Sequence, residues 1–186
     1  MTRRRFIFDP PDRFVAGTIG EPGQRTFFLQ ARDGARVVSV ALEKAQVAVL
    51  ADRLGQLLGE LERRGVAPAL ETAGPDRDAG PLEEPLNETF RAGALTLGWD
   101  GDAERVLVEA RAESDDGEPI DPDEDDDEDE DGPDLLRVRM TAAAARGFVE
   151  RAVRIVASGR PPCPLCGQPL DPIGHICPRR NGHYVN

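Results

Sequence analysis

The sequence predicts an α+β protein: antiparallel strands packed on two helices. Three observations predict it. Short runs alternate in polarity, as Val38, Val40 and Leu42 do against Ser39 and Ala41. One longer run, Val47, Leu50, Ala51, Leu54, Leu57, Leu58 and Leu61, falls at helical spacing instead. Turn signals such as Asp33-Gly34 and Asp100-Gly101 separate the alternating runs at hairpin distances.

Taken in order, residues 5–8 and 13–19 are strand-like and are separated by the turn Asp9-Pro10-Pro11-Asp12. In that turn Asp9, Asp12 and Arg13 are expected to organise the two prolines. Gly20-Glu21-Pro22-Gly23 is a turn, and residues 26–31 and 36–42 form a hairpin around Asp33-Gly34. The helical run places a helix over about 43–64, with Lys44, Asp52, Arg53, Gln56 and Glu60 largely off the apolar stripe. Residues 65–88 mix Pro, Gly and acids without periodicity and read as a mobile loop. Strands resume over 90–99 and 105–112, with Trp99 as a core residue or hairpin cap, and again over 135–140. Thr141 is an N-cap for a helix to about residue 157, which Gly159, Pro161 and Pro162 end.

The halves look alike. Phe14-Val15-Ala16-Gly17 is echoed by Phe90-Arg91-Ala92-Gly93, and Val38, Val40 and Leu42 by Leu136, Val138 and Met140. Leu50, Leu57 and Leu58 match Phe148, Ile155 and Val156 at the same offset. A βββα unit used twice, by internal duplication or by convergent patterning, accounts for this. The expected organisation is an α+β domain over 1–160 and a zinc-binding tail over 161–186.

Charge is concentrated rather than spread. Residues 113–134 hold fifteen acids and no Lys or Arg, so taking fifteen negative charges from the net −12 leaves a remainder of +3. That segment, densest over 121–131, reads as a disordered acidic insertion in a loop. Its functional alternative is an electrostatic decoy that folds back on basic residues (Arg3, Arg4, Arg5, Arg160, Arg179, Arg180) or attracts a basic partner. No EF-hand spacing is present to make it a calcium loop.

All three cysteines fall within residues 163–177, which is a poor disulfide framework and a good metal-ligand set. In Cys163-Pro164-Leu165-Cys166-Gly167, two intervening residues let both thiolates reach one metal, and Gly167 permits the tight return. The second pair of ligands is Cys177 with either His175 or His183, and spacing alone leaves that choice open. Three Cys and one His make a closed tetrahedral zinc ribbon, so the expected cofactor is structural Zn2+ without an open position for water.

Other chemistries find little support. There is no Gly-x-Ser-x-Gly and no phosphate-binding Gly-x-x-x-x-Gly-Lys-Ser/Thr, and both histidines lie in the tail. No catalytic residue is nominated. No apolar run reaches the roughly 18–20 residues that span a bilayer, and acids and prolines at 9–12 stand where a signal peptide would be apolar. The expectation is a cytoplasmic, non-enzymatic adaptor for an unidentified protein partner. A nucleic-acid-associated zinc-ribbon factor is the alternative, using Arg179 and Arg180, and a metal-dependent hydrolase the third. The sequence sets no oligomeric state.

Residues 8–44 (FDPPDRFVAGTIGEPGQRTFFLQARDGARVVSVALEK), 90–110 (FRAGALTLGWDGDAERVLVEA) and the closing block with RPPCPLCGQPLDPIGHICPRRNG occur in order. Together they resemble the actinobacterial family catalogued as domain of unknown function 3090. The resemblance implies no activity. It implies the ligand set Cys163, Cys166, His175 and Cys177, and makes His183 incidental, because the family tends to carry an aromatic residue there. It also implies an adaptor role, since the family's genes often neighbour those of a histidine-phosphatase-like and a lipid-kinase-like protein.

Overall fold

The computed structural model describes residues 3–66, 78–113, 132–158 and 163–166. Seven strands and two helices follow one another as β1 (Arg5–Phe8), β2 (Arg13–Ile19), β3 (Thr26–Asp33), β4 (Arg36–Leu42), α1 (Lys44–Arg63), β5 (Glu88–Asp100), β6 (Arg105–Ala112), β7 (Leu135–Met140) and α2 (Ala142–Ala157). All seven strands belong to one sheet, in the order β1-β7-β6-β5-β4-β3-β2. After β1, the order strand-strand-strand-helix occurs twice.

The expectation of an antiparallel sheet needs correction: the sheet is mixed. β2-β3-β4 and β5-β6-β7 are antiparallel meanders, and short turns join β2 to β3, β3 to β4 and β5 to β6. The meanders join through a parallel pairing of β4 with β5. The reason lies in the connection: α1 carries the chain from the end of β4 back to the start of β5, and such a crossover delivers a parallel neighbour. β1 adds a second parallel pairing, on β7.

β1 and β2 are the opposite edges of this sheet, yet only residues 9–12 connect them. Five Cα steps reach about 18 Å at most. The sheet must therefore curl until its edges approach. Arg36, on β4, accordingly places its guanidinium 4.7 Å from the ring centroid of Phe8, on β1, and donates to the carbonyl of Ile7 at 3.3 Å. Asp12 closes the turn differently from expectation. Its backbone N–H donates to Arg32 O at 2.8 Å, and its carboxylate accepts from Gly34 N at 2.8 Å. Asp9 pairs with Arg139 at 3.5 Å. Arg13 does not serve this turn.

Both helices fill the inside of the curl. The apolar stripe read from the sequence is the buried face of α1: Val47, Leu50, Ala51, Leu54, Leu58 and Leu61. α2 buries Ala142, Ala145, Phe148 and Ala152, and Thr141 caps it by accepting from Ala144 N at 3.2 Å. Phe148 stacks on Phe14 of β2 with centroids 4.8 Å apart and planes within 10°. A pair of that kind is worth about 0.5–1.5 kcal/mol beyond area burial. Trp99 packs against the edge of this core.

The outer side of β2–β4 carries a second, smaller cluster of Val15, Phe28, Ala41 and Leu82. Leu82 comes from the stretch expected to be a mobile loop. Residues 78–87 hold no helix or strand, but they wrap the edge strand β2 and pack on it. This covers what would be an exposed sheet edge. Residues 67–77 lie outside the described residues.

Candidate functional site

Two features of the described chain offer chemistry or recognition. A third, which is polar and buried, serves the fold.

The first is the start of the tail. Cys163 is buried, and a turn runs on through Cys166, which is half-buried. Leu165 N donates to Cys163 Sγ at 3.4 Å. A backbone N–H aimed at sulfur stabilises the thiolate form that a metal ligand needs. The described half of the ligand set thus suits a thiolate metal site. His175, Cys177 and the alternative His183 lie outside the described residues. Among the described residues no group of three or more metal-ligating side chains converges.

The second is a cleft of about 320 Å³ between α1 and β5, lined by Ala45, Gln46, Val49, Leu50, Arg53, Gly93, Leu95 and Leu97. Its geometry follows from the first turn of α1. Gln46 Oε1 accepts from Glu43 N at 2.7 Å, completing a capping box with the Glu43 side chain. Gln46 Nε2 donates to Ala92 O at 2.9 Å, which pins the helix start to β5. β5 then bulges between Ala92 and Ala94. Gly93 sits at that bulge because a Cβ there would lie 2.8 Å from Glu113 Cα. Past the bulge, Leu95 and Leu97 face the helices but are only partly covered. Val49 stands on the opposite wall with 58% of its surface exposed. Arg53 is the one charged side chain in the lining.

The polar cluster joins α2, β2 and residues 78–83. Arg13 donates to Asp78 Oδ1 at 2.9 Å and to Pro81 O at 2.9 Å. Arg151 donates to Ala16 O at 2.7 Å, Asp78 O at 2.7 Å and Gly80 O at 2.8 Å. The hydrogen bond from Arg13 holds the Asp78 carboxyl below the usual carboxylate range. Burial pulls the Arg151 guanidinium below its ordinary value. These groups satisfy backbone carbonyls and tie residues 78–83 to the sheet edge, which is a structural role.

Sequence reasoning missed the cleft. Leu95 and Leu97 alternate as the core face of a strand does, while Val49 stands off the apolar stripe of α1, and only the bulge and the helix position bring the three together around one cleft. Arg151 did carry a signal, standing three residues after Phe148 on an otherwise apolar stripe. Of the basic candidates, Arg3, Arg4 and Arg5 are described, whereas Arg160, Arg179, Arg180 and the acidic run 121–131 lie outside the described residues.

A curled mixed sheet of seven strands with two helices, a groove beside α1 and a Cys-x-x-Cys turn after α2, makes this an α+β protein. The chain belongs to the DUF3090 family, a family of proteins of unknown function, which it matches over residues 6–177. No curated protein and no solved structure matches it. Among the described residues, no helix is long and apolar enough to cross a membrane.

Proposed function

We propose that the protein is a non-enzymatic cytoplasmic adaptor whose α1–β5 cleft takes an apolar side chain from an acid-flanked segment of another protein. The observation that carries this is the cleft's lining: apolar walls from Val49, Leu95 and Leu97 and a single cation, Arg53, at the rim. Its volume is at the small end of the roughly 300–1,000 Å³ range of ligand pockets, which suits one anchoring side chain. Arg53 complements an acid beside that anchor. The tail is held by structural zinc on Cys163, Cys166, His175 and Cys177. The N–H···S bond at Cys163 supports this, and the family match runs through Cys177 and stops short of His183. Zinc bound there supplies folding energy to the tail. The matched order of the two β–β–β–α units supports an internal duplication as their origin.

A photo-cross-linking residue placed at Val49 tests the adaptor reading in cells. One discrete protein adduct is expected, absent when the same residue replaces Arg63, about 21 Å further along α1. Leu97→Asp should abolish the Val49 adduct while the circular dichroism spectrum stays unchanged. An adduct that persists with Leu97→Asp, or forms equally from position 63, rules out the cleft.

A further inference from the structure

We propose that the segment taken by the α1–β5 cleft binds as an added β-strand along the open edge of β5, which reads apolar, apolar and acidic side chains at alternate positions. This rests on the cleft reading above and gives the form of the occupant. The edge comes from a mismatch in strand length. β5 runs for 13 residues, Glu88–Asp100, but β4 pairs with it only as far as Ala41 with Arg91. The chain then leaves the sheet into α1, which starts at Lys44. β6 lies along the other side of β5 from Ala92 to Asp100. Among the described residues, no strand lies along the β4 side of β5 past Arg91. In an antiparallel pair, every second residue turns its N–H and C=O away from the partner strand. Over 94–100 those groups face the side that β4 has left. The carbonyl of Ala92, the first residue past the β4 pairing, accepts from the Gln46 side chain at 2.9 Å rather than from a strand. At β2, by contrast, residues 78–86 wrap the edge.

The wall opposite this edge has the spacing of a strand. Ala45, Val49 and Arg53 follow one another at four-residue steps on α1, line the cleft and are all exposed. They advance about 6 Å at each step. Inward side chains of an extended segment recur about every 6.6–6.8 Å, as those of Leu95 and Leu97 do on the facing strand. The helix row and the strand row start together, at the bond from Gln46 to Ala92. A strand laid about 4.8 Å from β5 sets three successive inward side chains beside Ala45, Val49 and Arg53. The first two meet carbon and the third meets a guanidinium. Read from the Ala45 end, the fitted pattern is therefore apolar-x-apolar-x-acid. Among the described residues no ion pair engages Arg53, so its charge faces that acid. A helical occupant fits this place poorly. It is about 10–12 Å across, and its backbone groups are already bonded within the helix. An extended segment instead gives its main chain to the edge and its alternate side chains to the pocket.

The test uses the full chain and a library of random nine-residue peptides displayed on phage. Selection is expected to enrich peptides with two apolar residues at alternate positions and an acid at the next. Selection on Arg53→Glu should put Lys or Arg in place of that acid. Val49→Arg, at a position 58% exposed, should weaken the enriched peptide by about ten-fold or more. Hydrogen exchange then reads the backbone: alternate amides over 94–100 should slow by about ten-fold or more when the peptide binds. N-methylation of the peptide at its odd positions, or at its even positions, should abolish binding for one set only, because an added strand uses one side of its main chain. A library that enriches nothing, or enriches equally on Val49→Arg, overturns this proposal and the cleft reading together. Peptides that need Val49 and Arg53 but leave exchange over 94–100 unchanged, or tolerate both sets of N-methyl groups, overturn the strand addition alone. Slow exchange of the same amides without peptide, lost on dilution, means that a second copy of the chain holds the edge, and overturns the proposal as well.

Discussion

Leu82 occupies the space that a side chain on Gly17 would need: a Cβ on Gly17 would lie 2.4 Å from Leu82 Cδ2. Gly17 stands on the edge strand β2, and Leu82 arrives from the non-periodic stretch after α1. Their fit is how residues 78–86 are seated on the outer side of the sheet. Gly17→Ala is expected to destabilise the protein by about 1–3 kcal/mol, the usual cost of overpacking. Combining it with Leu82→Ala should cost less than the sum of the two single changes. Urea unfolding of all four proteins measures the coupling, and strict additivity would show that the two residues do not interact.

Asp78 gives the stability curve an acid limb. Its folded pKa is lowered, first by the hydrogen bond from Arg13. A lowered carboxylate stabilises the fold above its unfolded pKa of about 3.9, and that contribution is lost as pH falls through the folded value. Below about pH 4, Asp78→Asn should therefore flatten the decline of stability, while costing stability at neutral pH. Thermal unfolding from pH 2.5 to 7 checks both signs, and parallel curves would contradict the assignment.

Metal content separates the ligands. One zinc per chain is expected by elemental analysis, falling towards zero in Cys163→Ser and in His175→Ala. His183→Ala should keep its zinc. Loss of zinc from His183→Ala, with retention in His175→Ala, would instead select the other histidine.

Gln46 ties the capping box of α1 to β5, so its substitutions should grade. Gln46→Glu retains the acceptor for Glu43 N but loses the donor to Ala92 O. Gln46→Ala loses both and should cost about 1–2 kcal/mol in chemical denaturation. The Glu variant is expected to fall between wild type and Ala. The reverse order would place the dominant interaction elsewhere.

Local patterns determined much of this protein. Period-two alternation and helical spacing are properties of neighbouring residues, so β4, β6, β7 and the apolar stripe of α1 were legible within a residue or so. So was Thr141 as a cap, and a turn does follow Cys163 over residues 164–166. The family could be read from three ordered blocks. What the tertiary structure decided involves residues distant in the chain. The parallel joining of β4 to β5 depends on where α1 returns the chain. The curl of the sheet depends on a four-residue link between its opposite edges. Arg13 found Asp78 rather than its own turn, because residues 78–83 wrap the β2 edge within its reach. Leu82 had no periodicity to announce its burial. Val49, Leu95 and Leu97 became a cleft only because the bulge at Gly93 and the bond from Gln46 to Ala92 set α1 against one end of β5. Sequence periodicity reports which side of an element is apolar, but whether that side is fully covered depends on where the neighbouring element lies.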